Sequence, residues 1–96
     1  MTVLLMVRLV AKPGKGKDMK ELILPHMGDG GGLDGCSGLE LQVDAGDSDR
    51  LLILEKWVSI DAHKKHIKAL TEAGGMDAVL ELSALAPHRT YYAQVE

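Results

Sequence analysis

Four side chains in the segment Leu51–His66 are of types that could line a ligand pocket and transfer a proton. They are the carboxylate of Glu55, the indole of Trp57 and the imidazoles of His63 and His66. Trp57 is the only tryptophan of the chain, and its ring is suited both to the wall of a pocket and to the core. A neutral imidazole can take a proton from a phenol, since the reference pKa of histidine is about 6.5. His66 is therefore a candidate base, and the alternative interpretation is a hydrogen-bonded histidine that lines a pocket.

The residues around these groups predict a strand followed by a helix. A short aliphatic run over Leu51–Trp57 is typical of a strand that is buried on both faces in the middle of a sheet. Alternation along that strand places Ile53, Glu55 and the tryptophan on one face. Ser59 is a good N-cap for the following helix, which we expect to extend to about Leu70 and to carry both histidines back over the sheet. All these side chains should converge near one end of the strand, where a pocket is expected.

Two further strands are expected to contribute to the same pocket. A carboxylate in a buried strand needs a partner or a raised pKa, and Arg8 on the first strand is the expected ion-pair partner of Glu55. If Arg8 is not engaged in that way, it becomes the cation that stabilises an anionic ring oxygen. From the last strand, Arg89, Tyr91 and Tyr92 are candidates to line the pocket. Adjacent strand residues face opposite sides, so only one tyrosine can do so. Alternation does not decide which one, and we name Tyr92, with Tyr91 as the alternative.

The sequence predicts neither a metal site nor an organic cofactor. His63 and His66 stand three residues apart, a spacing at which two helical residues can share a metal. No carboxylate or cysteine joins them at a ligand spacing. The glycine-rich segment Gly28–Gly35 contains neither a P-loop nor a dinucleotide-binding fingerprint, and we interpret it as a flexible connector. We therefore expect chemistry that requires no flavin and no metal.

Length and composition favour a single globular domain over residues 1–96. A chain of 96 residues supports one modest hydrophobic core. Its net charge of −3 and its three aromatic residues argue against binding to nucleic acid, which requires cationic and stacking surfaces. No segment approaches the roughly 20 apolar residues that cross a bilayer, and the opening MTVLLMVRLVAK predicts a first strand rather than a signal peptide. With Cys36 as the single cysteine, we expect no disulfide framework and a cytoplasmic location.

The complete pattern predicts the order β-α-β-β-α-α-β. The remaining predicted elements are a strand over Thr2–Ala11, a helix from about Lys15 to Met27 that is distorted near Pro25, a strand over Cys36–Asp44, a hairpin turn over Ala45–Asp49, a helix over Met76–Leu85 and a strand over His88–Val95. This order indicates an α+β ferredoxin-like sandwich, whose four-stranded antiparallel sheet has the first and third strands at its centre. All helices would cover one face of the sheet. We therefore expect a symmetric homodimer to cover the other, apolar face.

Four pieces of the sequence together resemble the antibiotic biosynthesis monooxygenase (ABM) family, whose fold is the dimeric α+β barrel. They are VRLVAKPGKGKDM, DGCSGLELQVD, LLILEKW and the spacing of nine residues from Trp57 to His66. The resemblance spans about Val3 to Tyr92. It implies two sheets packed face to face, and a cofactor-independent monooxygenase that oxidises a small phenol or quinol with molecular oxygen. His66 and Trp57 would then be catalytic, while the ligand would contact Arg8, Ile53, Glu55, His63 and Tyr92.

Two departures from the family pattern keep other functions open. The polyketide-oxidising members carry an asparagine four residues before the strand tryptophan, where this chain has Ile53. The haem-degrading members carry an asparagine in the first strand, where it has Val7, and this chain contains no asparagine. The alternatives are a non-catalytic homodimer that binds a small molecule, and a protein that binds or degrades haem through His66. In each case the expected partners are a second copy of the chain and a small ligand, without nucleic acid or membrane.

Overall fold

The computed structural model describes residues 2–28 and 33–95, and the predicted β-α-β-β-α-α-β order is confirmed in this part of the chain. The elements are β1 (Val3–Val10), α1 (Gly16–Ile23), β2 (Cys36–Asp44), β3 (Asp47–Trp57), α2 (Ile60–Glu72), α3 (Asp77–Leu82) and β4 (His88–Ala93). Residues 29–32 of the predicted glycine-rich connector lie outside the described residues. None of the helices in the described ranges has the length and apolar character needed to span a membrane.

The sheet has the predicted ferredoxin-like topology. Its strand order is β2-β3-β1-β4, and the neighbouring strands run antiparallel. The two strands with the longest aliphatic runs, β1 and β3, occupy the centre as the sequence predicts. β2 and β4, which carry more polar residues, form the edges. The local hydrophobic pattern and the global topology therefore agree.

Several element ends differ from the sequence prediction for local chemical reasons. β3 begins at Asp47 because the hairpin turn contains only Ala45 and Gly46, and the Asp44 carboxylate accepts a hydrogen bond from the Gly46 amide at 2.7 Å. α1 ends at Ile23 and continues as a 3-10 helix over Leu24–His26, which contains the predicted distortion at Pro25. Proline has no amide hydrogen to donate, so the regular α-helical hydrogen-bond pattern stops there.

The hydrophobic core lies between the sheet and the helices. Alternate residues of β1 face the helices, and all are at most 5% exposed: Val3, Leu5, Val7 and Leu9. Leu51 and Trp57 of β3 and Met19 and Ile23 of α1 complete the layer. Burial of such side chains contributes roughly 1.5–3 kcal/mol each, so this layer is the main source of stability. It also forms the floor on which the candidate site lies.

The opposite side of the sheet, which we call the open face, is not covered by residues 2–28 and 33–95 of the same chain. The strands alternate strictly, so this face carries Leu4, Met6 and Arg8 of β1 and Leu52 and Leu54 of β3. The four aliphatic side chains are half-buried and Arg8 is exposed. The prediction that β1 and β3 are buried on both faces therefore does not hold for the single chain, because all helices lie on the other side of the sheet.

Candidate functional site

Trp57, the last residue of β3, is the centre of the candidate site. Its side chain is 0% exposed, and both histidines of α2 contact it. The ring of His63 lies edge-on to the indole at a centroid distance of 5.3 Å, while the ring of His66 is stacked on it at 5.3 Å with an interplanar angle of 30°. The structure thus brings together the three rings that the sequence singles out.

The short connection between β3 and α2 explains this convergence. The Ser59 hydroxyl accepts a hydrogen bond from the Ala62 amide at 3.1 Å, so the helix begins only three residues after Trp57. The start of β2 is packed tightly against this corner. Gly35 has a φ of +83°, and a Cβ at this position would lie 2.9 Å from the Cβ of Ala62. Glycine is therefore required there both for its backbone conformation and for the lack of space.

Glu55 lies on the same face of β3 as the indole and is bound to it. The Trp57 Nε1–H donates a hydrogen bond of 2.9 Å to Oε1 of Glu55. Burial raises the pKa of this carboxyl group, while the indole hydrogen bond and the positive charge of Arg89 act in the opposite direction. The partner of the half-buried carboxylate is therefore the indole, and this bond fixes the orientation of the Trp57 ring.

The expected ion pair between Arg8 and Glu55 is wrong. In the β1–β3 register Arg8 stands opposite Leu52, whereas Leu5 stands opposite Glu55. Arg8 is three residues from Leu5 along β1, and an odd separation places a side chain on the other face of the sheet. Arg8 is accordingly exposed on the open face. It therefore cannot contact a ligand held between the sheet and α2.

The expected lining residue Tyr92 is also wrong, and Tyr91 takes its place. Tyr91 pairs with Leu5 across the β1–β4 register, so it faces α2, and its hydroxyl oxygen lies 2.5 Å from Nδ1 of His63. Tyr92 pairs with Leu4 and is 43% exposed on the open face. Adjacent residues of a strand face opposite sides of the sheet, and the register of β4 decides which tyrosine reaches the site.

The two histidines lie in different environments. His63 is only 2% exposed, and burial, aided by the positive charges of Arg89 and His66, lowers its pKa from 6.5 to about 4. His66 is half-buried, and burial lowers its pKa as well. Burial raises the pKa of the Tyr91 hydroxyl. Near neutral pH both imidazoles are therefore uncharged, and a Tyr91 hydroxyl that donates to Nδ1 of His63 fits these protonation states.

Arg89 and Ile53 extend the site along the sheet. Val7 of β1 pairs with Ile53 on one side and with Arg89 on the other, so all three side chains lie in one row on the helix-covered face. Ile53 is half-buried and packs against the core. From the sequence, Arg89 is a candidate lining residue, but Tyr92 is the one that we name. The register of β4 places Arg89 on the helix-covered face and Tyr92 on the open face. This register follows only from the tertiary structure.

The cluster around Trp57 is closely packed rather than open. Trp57 and His63 are almost completely buried, while Glu55, His66 and Tyr91 are half-buried and form its rim. Two hollows that the described residues form lie elsewhere: most of their lining residues belong to the open face. A ligand would therefore reach the candidate site at its rim, beside His66 and Tyr91.

The described residues show no arrangement suited to a metal. Within residues 2–28 and 33–95, no group of three His, Cys, Asp or Glu side chains lies close enough to hold an ion. Nδ1 of His63 is occupied by Tyr91. Cys36 is half-buried at the start of β2, its thiol donates to the carbonyl oxygen of Gly38, and burial raises its pKa. A raised pKa makes this thiol a poor nucleophile and a poor ligand.

Comparison with known proteins identifies the family of this chain. The sequence profile of the antibiotic biosynthesis monooxygenase family matches residues 2–71, a range that contains Glu55, Trp57, His63 and His66 and excludes β4. No curated protein matches the chain.

Solved structures confirm the fold. A family protein from Nitrosomonas europaea superimposes with a TM-score of 0.84 at 16% identity, and the match covers 98% of this chain and 90% of that chain. One from Bordetella bronchiseptica gives 0.82 at 17% identity, with coverage of 99% and 98%. A protein from Mycobacterium tuberculosis gives 0.82 at 20% identity, with coverage of 100% and 97%. Since the profile also matches more than half of the sequence, the chain belongs to the antibiotic biosynthesis monooxygenase family.

Proposed function

We propose that this protein oxidises a small phenol or quinol with molecular oxygen and without a cofactor. One observation carries the proposal: a half-buried, uncharged imidazole, that of His66, is stacked on the buried indole of Trp57 at the rim of the site. This arrangement holds a base in one orientation and leaves part of its ring accessible. Membership of the family supports the same class of reaction.

The reaction requires no reductant because the substrate supplies all the electrons. Removal of the hydroxyl proton of a phenol gives an electron-rich anion that reduces oxygen directly. A ring C–H bond is then replaced by a C=O bond, so that the ring becomes a quinone. One atom of O2 enters the ring, and the other leaves as water with the hydroxyl hydrogen and the ring hydrogen. The atoms and electrons balance, and the protein needs to supply only a base and a site for the anion.

His66 is the better of the two histidines for the role of base. Its imidazole is uncharged near neutral pH, since burial lowers its pKa, and it lies at the half-buried rim. His63 is almost completely buried, and Nδ1 of its ring is already bound to Tyr91. Trp57 has no exposed surface of its own, so its role in this proposal is to orient His66 by stacking.

The proposal includes a homodimer formed through the open face. Leu4, Met6, Leu52 and Leu54 form the half-buried apolar centre of this face. An apolar sheet surface without a covering layer favours association, and a second copy of the chain has a complementary surface by symmetry. The site lies on the other side of the sheet, so the dimer would leave the rim around His66 accessible.

Oxygen uptake tests the proposed function. The protein is mixed with hydroquinones and naphthols in a closed cell that contains a metal chelator and no flavin or nicotinamide. We expect uptake that depends on both protein and substrate, and one labelled oxygen atom per oxidised ring when 18O2 is used: in the quinone formed from a naphthol and in the hydroxyquinone formed from a hydroquinone. If an aromatic compound binds, as judged by the fluorescence of Trp57, but no substrate causes uptake, the protein is a binding protein and the oxidation is refuted.

A further inference from the structure

We propose that Arg89 holds the anionic oxygen of the aromatic ligand, so that the site selects ligands that can exist as phenolates. The proposal rests on the proposed function, because deprotonation of a phenol creates the charge that must be stabilised. It names the substrate class more narrowly, and it assigns a binding role to a residue of the edge strand β4.

The register of the sheet places Arg89 beside the other groups of the site. Glu55, Leu5 and Tyr91 form one row across β3, β1 and β4 on the helix-covered face. Arg89 stands two residues from Tyr91 on the same strand, and therefore on the same face. Leu5 and Val7, at 0% and 5% exposure, are already covered and offer no surface to a ligand. A flat ring would therefore lie at the rim, beside Tyr91 and Arg89.

Arg89 is the cation that the strands supply to this face. Among the described strand residues, the other Lys and Arg side chains are Arg8, Arg50 and Lys56. These three pair with Leu52, Val10 and Leu4, all of the open face, and therefore lie on that face. The topology thus places a single guanidinium from the sheet on the side where His66 and Tyr91 lie.

Among the described residues, the guanidinium of Arg89 has no ion-pair partner. In the part of the chain that the structure describes, the ion pairs join Lys15 to Asp18 and Arg50 to Asp47. Arg89 is exposed, and the carboxylate of Glu55 accepts its hydrogen bond from the indole instead. An arginine that keeps its donors and its charge at all accessible pH values is well suited to an anionic oxygen.

The charge of Arg89 reaches three groups of the site. Burial raises the pKa of Glu55 and of Tyr91, and the charge of Arg89 opposes that rise; the same charge contributes to the lowered pKa of His63. The ionisable groups that face a ligand here are therefore the cationic Arg89, the carboxyl group of Glu55, and the uncharged His63, His66 and Tyr91. A phenolate would be attracted by the guanidinium and repelled by an ionised carboxylate. Removal of the charge of Arg89 should therefore weaken binding of the phenolate, whereas removal of the charge of Glu55 should strengthen it.

A coloured phenol measures this effect independently of turnover. 4-Nitrophenol absorbs visible light only as its phenolate, so a pH titration gives the pKa of the bound molecule. Its binding is followed by the fluorescence of Trp57, the only tryptophan. We expect the wild-type protein to lower the pKa of bound 4-nitrophenol relative to that in water. Arg89→Gln should weaken binding of the anion about tenfold, the loss expected for one charge-assisted contact, and should raise the bound pKa.

Three further variants make the test specific. Arg8→Gln removes the same charge from the open face. It should change neither the affinity for the 4-nitrophenol anion nor the pKa of the bound molecule. Arg89→Lys keeps the charge but loses the planar fork, so it should fall between the wild type and Arg89→Gln. Glu55→Gln can still accept the indole hydrogen bond and should lower the bound pKa further. Circular dichroism of each variant shows that the fold is retained.

The outcomes separate this inference from the proposed function. If 4-nitrophenol does not bind, or if Arg89→Gln behaves like the wild type, the anion-binding role of Arg89 is refuted. Oxygen uptake in that case would leave the proposed oxidation intact. If Arg89→Gln shows the expected loss but no phenol causes oxygen uptake, the anion site stands and the oxidation is refuted.

Discussion

Nδ1 of His63 lies 2.5 Å from the hydroxyl oxygen of Tyr91, and this bond joins α2 to the edge strand β4. The ring of the same histidine contacts the indole of Trp57 at the end of β3. His63 therefore spans the width of β1, the strand that lies between β3 and β4. One buried side chain thus fixes the helix over the sheet and sets the distance between the two sides of the candidate site.

The first prediction concerns the Tyr91 hydroxyl. Tyr91→Phe removes the partner of a buried nitrogen while keeping the aromatic ring, and it should lower the free energy of unfolding by about 1–3 kcal/mol. Urea denaturation measures this value. Tyr92→Phe is the matched control, because its hydroxyl lies on the open face with the side chain 43% exposed, and it should change stability little. Equal effects of the two variants would contradict the importance of the bond.

The second prediction is a pH dependence of stability that arises from His63. Burial holds its pKa at about 4 in the folded protein against an ordinary value of 6.5. As the pH falls through this interval, the unfolded chain binds the proton first, so the free energy of unfolding decreases. Above this interval the stabilisation is complete, and the total loss below it is up to about 3 kcal/mol.

A variant without the titrating group isolates this effect. The pKa of His66 is also lowered and acts in the same direction, whereas the pKa of Glu55 is raised and acts in the opposite one. The difference between the wild type and His63→Gln cancels both contributions. We expect this difference, measured by urea denaturation at several pH values, to shrink as the pH falls from 6.5 to about 4. A difference that does not vary with pH would show that His63 is not held uncharged.

The third prediction assigns the base. His66→Ala should reduce the rate of phenol oxidation by two to four powers of ten, the usual contribution of a general base, with the fold intact. The matched control is His88→Ala, since His88 is exposed and pairs with Arg8 on the open face. Oxygen consumption by the wild type should rise with pH through the pKa of one group. If His66→Ala retains the rate and the pH profile, His66 is not the base.

The fourth prediction concerns assembly. Light scattering at low micromolar concentration should give a mass near twice the chain mass of 10.3 kDa. Leu52→Asp places a charge in the half-buried centre of the open face and should produce monomers. Leu85→Asp is the control, because Leu85 is 64% exposed and lies in the connection between α3 and β4 rather than in the sheet. A wild-type mass near that of one chain would rule out the dimer.

The sequence alone determined the elements and most of the topology, because the signals for them are local. The aliphatic runs of β1 and β3 predict central strands, and hydrophobic composition is readable without any knowledge of the fold. The Ser59 cap two residues after Trp57 predicts that the helix returns at once. The meeting of Trp57 with His63 and His66 follows from these two local features.

Only the tertiary structure decided which side chains of β1 and β4 share the site. β4 has polar or aromatic residues on both faces, so its composition does not indicate which face is inward. A shift of one residue in its pairing with β1 would exchange Tyr91 for Tyr92 and would move Arg89 to the open face. Arg8 was misplaced for the same reason, since β1 is apolar on both faces apart from this residue. Register is a property of paired strands, and the sequence of one strand does not contain it.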